Sequence, residues 1–185
     1  TEPENPVLHS PIESRHAALD ARLIEFSGWL MPVQYSGILD EHRAVRERVG
    51  LFDLSHMGEL FVDGPDAGAG LAAALTTDPP SLAVGRAHYS MICAQDGGIM
   101  DDLIVYRLAE GRFLVVANAG NAAVVSDALA ERLAGFSAIL DDRSMATGLV
   151  AIQGPRAREA PTPLPDVDLT ALRYYALAEG AVAGT

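Results

Sequence analysis

Four stretches of the chain carry helix signals, either in the spacing of apolar residues or in the residues at their starts. Between Ile38 and Val49 the apolar positions fall on one helical face, with arginines and glutamates between them. Gly50 follows as a candidate C-terminal cap. Ser10-Pro11 is an N-cap followed by a proline at the first helical position. Beside the helix over 38–49, these patterns predict helices from Ser10 to about Leu19 or Asp20, from Pro65 to near Thr76, and from Asn121 to Leu133.

Shorter apolar runs between the helices predict strands. Two of them, Tyr89 to Cys93 and Ile99 to Tyr106, are separated by Gln95-Asp96-Gly97-Gly98, and Asp-Gly between such runs predicts a hairpin. The other predicted strands are Leu23–Phe26, Leu60–Val62, Phe113–Ala117 and Leu149–Ile152. Strands joined by tight turns, with helices between, predict an α+β fold with antiparallel sheets and flanking helices. A loop is predicted at Pro161, Pro163 and Pro165.

Composition and charge narrow the class of protein. The 185 residues are 49% apolar and 21% charged, which is typical of a folded globular chain of one domain or two small ones. The net charge of −12 repels a phosphate backbone or an anionic membrane surface, so nucleic acid and membrane are not expected partners. No apolar run approaches the roughly 18 residues of a membrane span. The acidic start, Thr1 to Asn5, is unlike a signal peptide, so we expect an intracellular, cytoplasmic protein.

Several catalytic classes are excluded by residues that the sequence lacks. All 13 basic residues are arginine, so neither a lysine Schiff base nor a P-loop lysine is available. Cys93 is the single cysteine, which excludes an intrachain disulfide and a cysteine-based zinc site and favours a reducing compartment. The five histidines form no H-E-x-x-H site, and no G-x-S-x-G elbow is present. We expect Cys93 to be a buried, unreactive thiol.

One glycine motif has two interpretations. Gly68 to Ala73 matches the G-x-G-x-x-A spacing of a dinucleotide-binding turn. In a true fingerprint the first glycine forms the turn between strand and helix, but here Pro65 has already begun the predicted helix. We therefore expect both glycines to lie inside a helix, and the match to be accidental.

The pair Asp101-Asp102 is the most informative polar feature. It begins a strand whose faces are Ile99, Leu103 and Val105 on one side and Met100, Ile104 and Tyr106 on the other, so both faces are expected to be covered. At least one carboxylate must then point into an apolar layer or a cleft. Such a group either accepts backbone hydrogen bonds in a purely structural role or serves a functional site, and the residues alone leave both open.

Two further polar residues are predicted to converge on this pair. Tyr89 lies on the partner strand of the hairpin, and Asn118 follows the next strand. If the three strands pair antiparallel, a phenol, a carboxylate and an amide share one end of a sheet. That set of donors and acceptors suits a flat heteroaromatic ligand.

Long motifs of the chain resemble the T-protein family of the glycine cleavage system, the tetrahydrofolate-dependent aminomethyltransferases. The resemblance covers nearly the whole chain, about Ser10 to Gly184, and Thr77-Asp78 departs from it where the family commonly has Asn-Asp. The motifs that carry it, in family order, are Phe26-Ser27-Gly28-Trp29, Met31 to Tyr35, Glu41 to Arg46, Gly50 to Gly58, Gly97 to Tyr106, Val116 to Ala119 and Ala151 to Pro155.

The resemblance implies a reaction and roles for four residues. An aminomethyl group carried on the dihydrolipoyl arm of the lipoylated H-protein passes to tetrahydrofolate, ammonia is released, and 5,10-methylenetetrahydrofolate forms without a metal. Asp102 is implied as the catalytic carboxylate near the reactive folate nitrogens. Met57, Tyr89 and Asn118 are implied to line the folate pocket with it.

The resemblance also implies a domain organisation. Residues 1–52 plus 142–185 are expected to form part of a first domain, and residues 53–141 an inserted antiparallel α+β domain. Family members are about twice as long as this chain, and a segment rich in Thr, Gly, Tyr and Glu follows the position at which this sequence stops. We therefore expect these residues alone to form an incomplete folate site.

Two alternative functions stay open at this point. One is another folate-dependent enzyme on the same scaffold, such as a demethylase or a module of a sarcosine or dimethylglycine dehydrogenase, although the chain carries no flavin-binding segment. The other is a non-catalytic folate-binding protein of iron–sulfur cluster assembly. Relatives of that kind carry a motif near K-G-C-Y-x-G-Q, which is not found in this sequence.

Overall fold

A computed structural model describes residues 6–160 and 167–181 of the chain. Two short 3₁₀ turns, Pro79–Ser81 and Ala119–Asn121, accompany the strands and α-helices. In chain order the latter are β1 (Leu8–His9), α1 (Glu13–Ala18), β2 (Arg22–Phe26), β3 (Trp29–Gln34), α2 (Ile38–Glu47), β4 (Gly50–Asp53), β5 (Gly58–Asp63), α3 (Ala67–Ala74), β6 (Arg86–Cys93), β7 (Ile99–Ala109), β8 (Arg112–Ala117), α4 (Ala122–Leu133), β9 (Ile139–Asp142) and β10 (Val150–Gln153).

The predicted helices and strands all form, with ends shifted by a few residues. The hairpin of β6 and β7 turns through Gly97, whose φ of 88° is in the left-handed region that favours glycine. Gly50 does not cap α2 as predicted: the helix ends at Glu47, and Gly50 is the first residue of β4. Four strands were not predicted, namely β1, β3, β4 and β9. The predicted loop at Pro161, Pro163 and Pro165 lies outside the described residues.

The contacts within the chain divide it into two compact units. Unit 1 comprises the described residues up to His56, those from Gly148 to residue 160, and Ala181. Unit 2 comprises Met57–Thr147 and Val167–Gly180.

Unit 2 is built on a five-stranded sheet in the order β6-β7-β8-β5-β9, with every neighbouring pair antiparallel. Side chains of α3 and α4 pack on one face of this sheet and form a hydrophobic core with it. Fully burying one aliphatic or aromatic side chain of this kind stabilises a fold by about 1.5–3 kcal/mol. The largest fully buried members of this core are Phe113, Leu60, Leu71, Ile92, Leu103 and Leu129. The other face of the sheet, called the open face below, carries the alternate residues of the same strands.

The glycines of the G-x-G-x-x-A motif lie inside α3, as expected from Pro65. A Cβ at Gly70 would lie 2.5 Å from Leu133 Cδ2 and 3.3 Å from the Phe136 ring. The small residue therefore permits close packing beside the end of α4. The motif serves the hydrophobic core and forms no dinucleotide-binding turn.

The described part of unit 1 contains two small sheets and two helices. One sheet has the order β1-β3-β2, in which β2 and β3 are antiparallel and the two-residue β1 runs parallel to β3. The other pairs β4 with β10 antiparallel. Apart from the β1–β3 pair, every strand pair in the described residues is antiparallel, which confirms the predicted α+β class.

Candidate functional site

A bulge separates the two adjacent carboxylates of β7. Ile92 pairs with Asp101 while the next residue, Cys93, pairs with Ile99, so Met100 is an extra residue in β7. Met100 packs against the hydrophobic core, whereas Ile99 is 66% exposed. The bulge thus reverses the faces predicted for these two residues. The prediction that both faces of β7 are covered holds only in part: on the open face Ile104 and Tyr106 are half-buried but Asp102 is exposed, while Asp101 is 4% exposed.

Asp102 and Tyr89 meet on the open face. Tyr89 pairs with Ile104 and Met91 pairs with Asp102, so Tyr89 is the diagonal neighbour of Asp102 across the β6–β7 ladder. The Tyr89 hydroxyl donates a hydrogen bond to Asp102 Oδ2. Both side chains are exposed. The phenol and the carboxylate are therefore in contact and accessible to a ligand.

Asn118 joins the same group from the end of β8. Its Nδ2 lies 3.2 Å from Asp102 Oδ1 and 2.9 Å from the Asp102 carbonyl oxygen. The pair Leu103–Ala117 is the last of the β7–β8 ladder, and one residue beyond it Asp102 stands beside Asn118. The predicted convergence of phenol, carboxylate and amide is thus observed.

Met57 lies at the same end of the sheet. It immediately precedes β5, whose first residue, Gly58, pairs with Ala117. Because β5 and β8 are antiparallel, Met57, which precedes β5, and Asn118, which follows β8, both lie one residue beyond that pair at the same end of the sheet. The Met57 side chain is half-buried. All four residues proposed from the sequence therefore lie toward one end of four neighbouring strands, β6, β7, β8 and β5.

Two residues of this cluster were not assigned a role from the sequence. Asp101 accepts hydrogen bonds from the Asn118 backbone N–H at 2.9 Å, from Asn118 Nδ2 at 2.9 Å, and from Asn121 Nδ2 at 2.8 Å. Asn121 lies at the end of the 3₁₀ turn that leads into α4. Asn118 and Asn121 are three residues apart and come directly after the apolar strand β8. This spacing is the sequence signal that points to a shared partner for the two asparagines.

An apolar row continues from Tyr89 across the open face. Ile104 pairs with Tyr89 on one side and with Val116 on the other, and Val116 pairs with Glu59. Ile104 is half-buried, and Val116 is 8% exposed. Side chains of this kind suit the flat face of an aromatic ligand whose edge meets the polar cluster.

Glu59 ends this row as a buried carboxylate. Its Oε2 accepts a hydrogen bond of 2.8 Å from Thr147 Oγ1, and its side chain is removed from water. Burial, together with the nearby charge of Asp142, raises the pKa of Glu59 above its ordinary value. The contacts of Glu59 hold the loop after β9, since its backbone also bonds Arg143 and Ser144.

Thr77, the residue that departs from the T-protein pattern, bonds on the helix-covered side of the same sheet. Its hydroxyl lies 2.9 Å from His88 Nε2 and donates to Ser90 Oγ at 2.7 Å. Burial lowers the pKa of His88. Thr77 therefore anchors its loop to β6 and takes no part in the open face.

Unit 1 contains a separate buried polar cluster around Asp53. His16 Nε2 lies 2.8 Å from Asp53 Oδ2, and the Ser10 hydroxyl donates to the same oxygen. The Tyr35 hydroxyl lies 2.9 Å from His16 Nδ1. Serine, histidine and aspartate meet here, but Ser10 donates to the carboxylate rather than to the imidazole. Histidine therefore cannot act as its base, and the cluster is not a hydrolase triad.

Hydrogen bonds hold the Asp53 carboxylate in its charged form. Burial by itself raises the pKa of Asp53, but hydrogen bonds from Ser10, His16 and Ser55 together lower it below its ordinary value. The Ser55 backbone N–H donates to Asp53 Oδ1 at 2.9 Å. The cluster therefore ties β4 to the N-terminal part of unit 1.

A cavity of about 510 Å³ lies in unit 1 between α2, β3 and β4. Its lining is mostly apolar, with Val45, Leu51 and Phe52 among its members. Glu41 in this lining already accepts hydrogen bonds from the Tyr35 and Gly37 backbone N–H groups. The Asp53 carboxylate is also fully engaged, so the cavity offers less ligand-directed chemistry than the open face of unit 2.

Residues 6–160 and 167–181 contain neither a candidate metal-binding cluster nor a candidate membrane-spanning helix. Within these ranges, no group of three or more histidine, cysteine or acidic side chains is placed to hold a metal ion. No helix of this part of the chain has the length and apolar character needed to cross a bilayer.

Comparison with known proteins gives a consistent result. The family model of the GCVT N-terminal domain matches residues 12–185. The aminomethyltransferase of Streptomyces avermitilis is 52% identical over 180 residues, which are 97% of this chain and 48% of that protein. The aminomethyltransferase of Saccharopolyspora erythraea is 51% identical over 175 residues, or 95% of this chain and 48% of that protein. The chain thus spans about half the length of these curated relatives.

A solved structure has the same fold. The crystal structure of the glycine cleavage system aminomethyltransferase T from Bartonella henselae superposes with a TM-score of 0.84 at 36% sequence identity. The match covers 92% of this chain and 46% of that one.

Proposed function

We propose, on the premise that this chain belongs to the family of GCVT N-terminal domains, that it carries the folate-facing part of an aminomethyltransferase of the glycine cleavage system. The enzyme takes the aminomethyl group from the dihydrolipoyl arm of the H-protein and passes it to tetrahydrofolate. Ammonia and 5,10-methylenetetrahydrofolate are the products. The observation that carries the proposal is the contact of Asp102 with both Tyr89 and Asn118 on an accessible sheet face.

The chemistry requires a group that accepts protons and stabilises positive charge. N5 of tetrahydrofolate forms a bond to the aminomethyl carbon, and N10 then closes the ring on the same carbon. The bonds that break are the C–N bond to the departing ammonia and the C–S bond to the lipoyl arm. The two hydrogens lost from N5 and N10 leave with ammonia and with the dihydrolipoyl thiol, so the reaction needs no oxidant and no metal. Asp102 is proposed to accept a proton from the reacting nitrogen. A well-placed acid–base group of this kind contributes roughly 10²- to 10⁴-fold in rate.

The neighbours of Asp102 are proposed to orient its carboxylate and to line the folate pocket. Tyr89 and Asn118 hold the two carboxylate oxygens of Asp102 by hydrogen bonds, so the base has a defined orientation. Ile104, the half-buried member of the apolar row beside Tyr89, is proposed to contact the flat pterin face. Met57 lies at the end of the sheet that carries the polar cluster and is proposed to line the same pocket.

The remaining expectations are part of the same proposal. The lipoylated H-protein is the expected partner, and the cytoplasm is the expected location. We also propose that residues 1–52 with 142–185 belong to one domain of the natural protein, and residues 53–141 to another. An intact mass of the protein as its host expresses it establishes the natural length at which the following tests are made.

Two measurements on the natural-length protein test the function. Calorimetric titration detects tetrahydrofolate binding, and ammonia release from aminomethylated H-protein detects transfer. We expect Asp102→Asn to lower the transfer rate by roughly 10²- to 10⁴-fold. Asp127→Asn makes the same change of charge on the exposed face of α4 and serves as the matched control.

The outcomes separate the proposal from its alternatives. Transfer from a methylated substrate, without ammonia release from the aminomethylated H-protein, would identify a folate-dependent demethylase. Folate binding without either transfer, and loss of iron–sulfur enzyme activity on gene deletion, would identify a non-catalytic folate-binding protein. Equal rates for Asp102→Asn and wild type would remove Asp102 as the catalytic carboxylate.

A further inference from the structure

Asp101 is a buried carboxylate that receives its hydrogen bonds from two asparagines. Its side chain lies beneath the open face at 4% exposure, with Oδ1 bonded to Asn118 Nδ2 and Asn121 Nδ2 and Oδ2 bonded to the Asn118 backbone N–H. We infer that Asp101 is a positioning residue that fixes the Asn118 amide so that its oxygen is presented to the ligand. The inference rests on the proposed function, in which Asn118 lines the folate pocket.

The orientation of the Asn118 amide follows from the chemistry of its neighbours. A carboxylate accepts hydrogen bonds and has no hydrogen to donate, whereas an asparagine amide has one donating and one accepting end. Asn118 Nδ2 faces three acceptors: Asp101 Oδ1 at 2.9 Å, the Asp102 carbonyl oxygen at 2.9 Å and Asp102 Oδ1 at 3.2 Å. A flipped amide would place its oxygen against these three acceptors, so only one orientation is stable.

This orientation determines which ligand edge the site accepts. With Nδ2 committed to the acids, the Asn118 Oδ1 atom is the end of the amide left to accept a hydrogen bond. The edge of a reduced pterin carries N–H and NH₂ donors, which match such an acceptor. Asn121 Nδ2 donates to the same Asp101 Oδ1 atom at 2.8 Å, and because Asn121 directly precedes α4, it couples the carboxylate to the start of that helix.

A double-mutant cycle on the natural-length protein tests the inference. Asp101→Asn keeps the shape of the side chain but adds a donor that can bond Asn118 Oδ1, so the amide can flip and present the wrong group. We expect Asp101→Asn and Asn118→Ala each to weaken tetrahydrofolate binding about tenfold, as for one mispaired hydrogen bond. If Asp101 acts through Asn118, the double variant binds as weakly as Asn118→Ala alone. Asp127→Asn is the control and should bind like wild type.

Two results would overturn the inference. One is a dissociation constant for Asp101→Asn within twofold of the wild-type value. The other is additivity, with the double variant weakened about a hundredfold, because a general loss of structure acts independently of Asn118. If Asp101→Asn does not fold, Asn121→Ala replaces it. We expect about threefold weaker binding for Asn121→Ala and no effect in the Asn118→Ala background, whereas an effect there would overturn the inference.

A ligand-free measurement separates this inference from the proposed function. Hydrogen exchange of the Asn118 side-chain amide, followed by NMR, should be slow in the wild type and in Asp127→Asn and faster in Asp101→Asn. Equal exchange rates in all three proteins would overturn the inference even where tetrahydrofolate binds. Slow exchange in a wild type that does not bind tetrahydrofolate, together with faster exchange in Asp101→Asn, would instead reject the proposed function and leave the positioning role of Asp101 supported.

Discussion

Asn118 Nδ2 lies 2.9 Å from the carbonyl oxygen of Asp102 and 3.2 Å from its Oδ1 atom. One amide therefore bonds both the backbone and the side chain of the same residue. Together with the Tyr89 hydroxyl on Oδ2, it holds the carboxylate from two sides.

Removing the Tyr89 hydroxyl should affect ligand binding more than folding. Tyr89 is 54% exposed, so we expect Tyr89→Phe to change the free energy of unfolding by less than about 0.5 kcal/mol. One lost hydrogen bond to a charged acceptor should weaken tetrahydrofolate binding about tenfold. Urea unfolding and calorimetric titration measure the two effects. A large loss of stability with unchanged binding would contradict the proposed role of Tyr89.

Gly64 should tolerate no side chain. Its φ is 144°, a Cβ there would collide with the Ser137 carbonyl oxygen, and it would lie 2.9 Å from Ala138 Cα. Because these neighbours are backbone atoms, they cannot rotate away, and we expect Gly64→Ala to lower the free energy of unfolding by about 2–4 kcal/mol. At Gly135 a Cβ meets no atom within 4 Å, so Gly135→Ala is the control in the same urea titration. Equal midpoints for the two variants would refute this prediction.

Asp53 should stabilise the protein in a pH-dependent way. Its pKa is lowered in the folded state, so its contribution is present above the unfolded value of about 3.9 and is lost as the pH falls through the folded value. Asp53→Asn should lower the free energy of unfolding by about 2–3 kcal/mol at pH 7, because hydrogen bonds to a charged acceptor are lost. The difference from wild type should shrink below about pH 4. Unfolding curves across this range check the sign, and a difference that grows toward low pH would contradict it.

Glu59 should have the opposite pH dependence. Its pKa is raised by burial, so its favourable contribution is present below the unfolded value and is lost as the pH rises through the folded value. Glu59→Gln removes this titration. The stability of the variant relative to wild type should therefore increase as the pH rises above about 4. Ser144→Ala alters a neighbouring contact without removing the carboxylate, so the pH dependence should remain in that variant.

Local sequence patterns predicted the helices and strands that depend on interactions between residues close together in the chain. The α3 and α4 helices follow from apolar spacing and from Pro65, and the β6–β7 hairpin follows from the Asp-Gly turn. The strands that were missed have other causes. The two-residue β1 and the four-residue β9 exist through pairing with distant partners, and such pairing leaves no local periodicity. Gly50 has the sequence position of a helix cap, but pairing with Gln153 makes it part of β4.

For the candidate site, the residue types and their order came from the sequence. The sequence by itself determined the α+β class and the hairpin, and it predicted that Tyr89, Asn118 and a carboxylate of the Asp101-Asp102 pair converge at one end of antiparallel strands. Only the tertiary structure decided which of two adjacent carboxylates is buried. The bulge at Met100 depends on pairing with β6 and on packing against the core, and these interactions involve residues far apart in the chain. For the same reason Asp101 became the partner of Asn118 and Asn121, while Asp102 remained accessible on the open face.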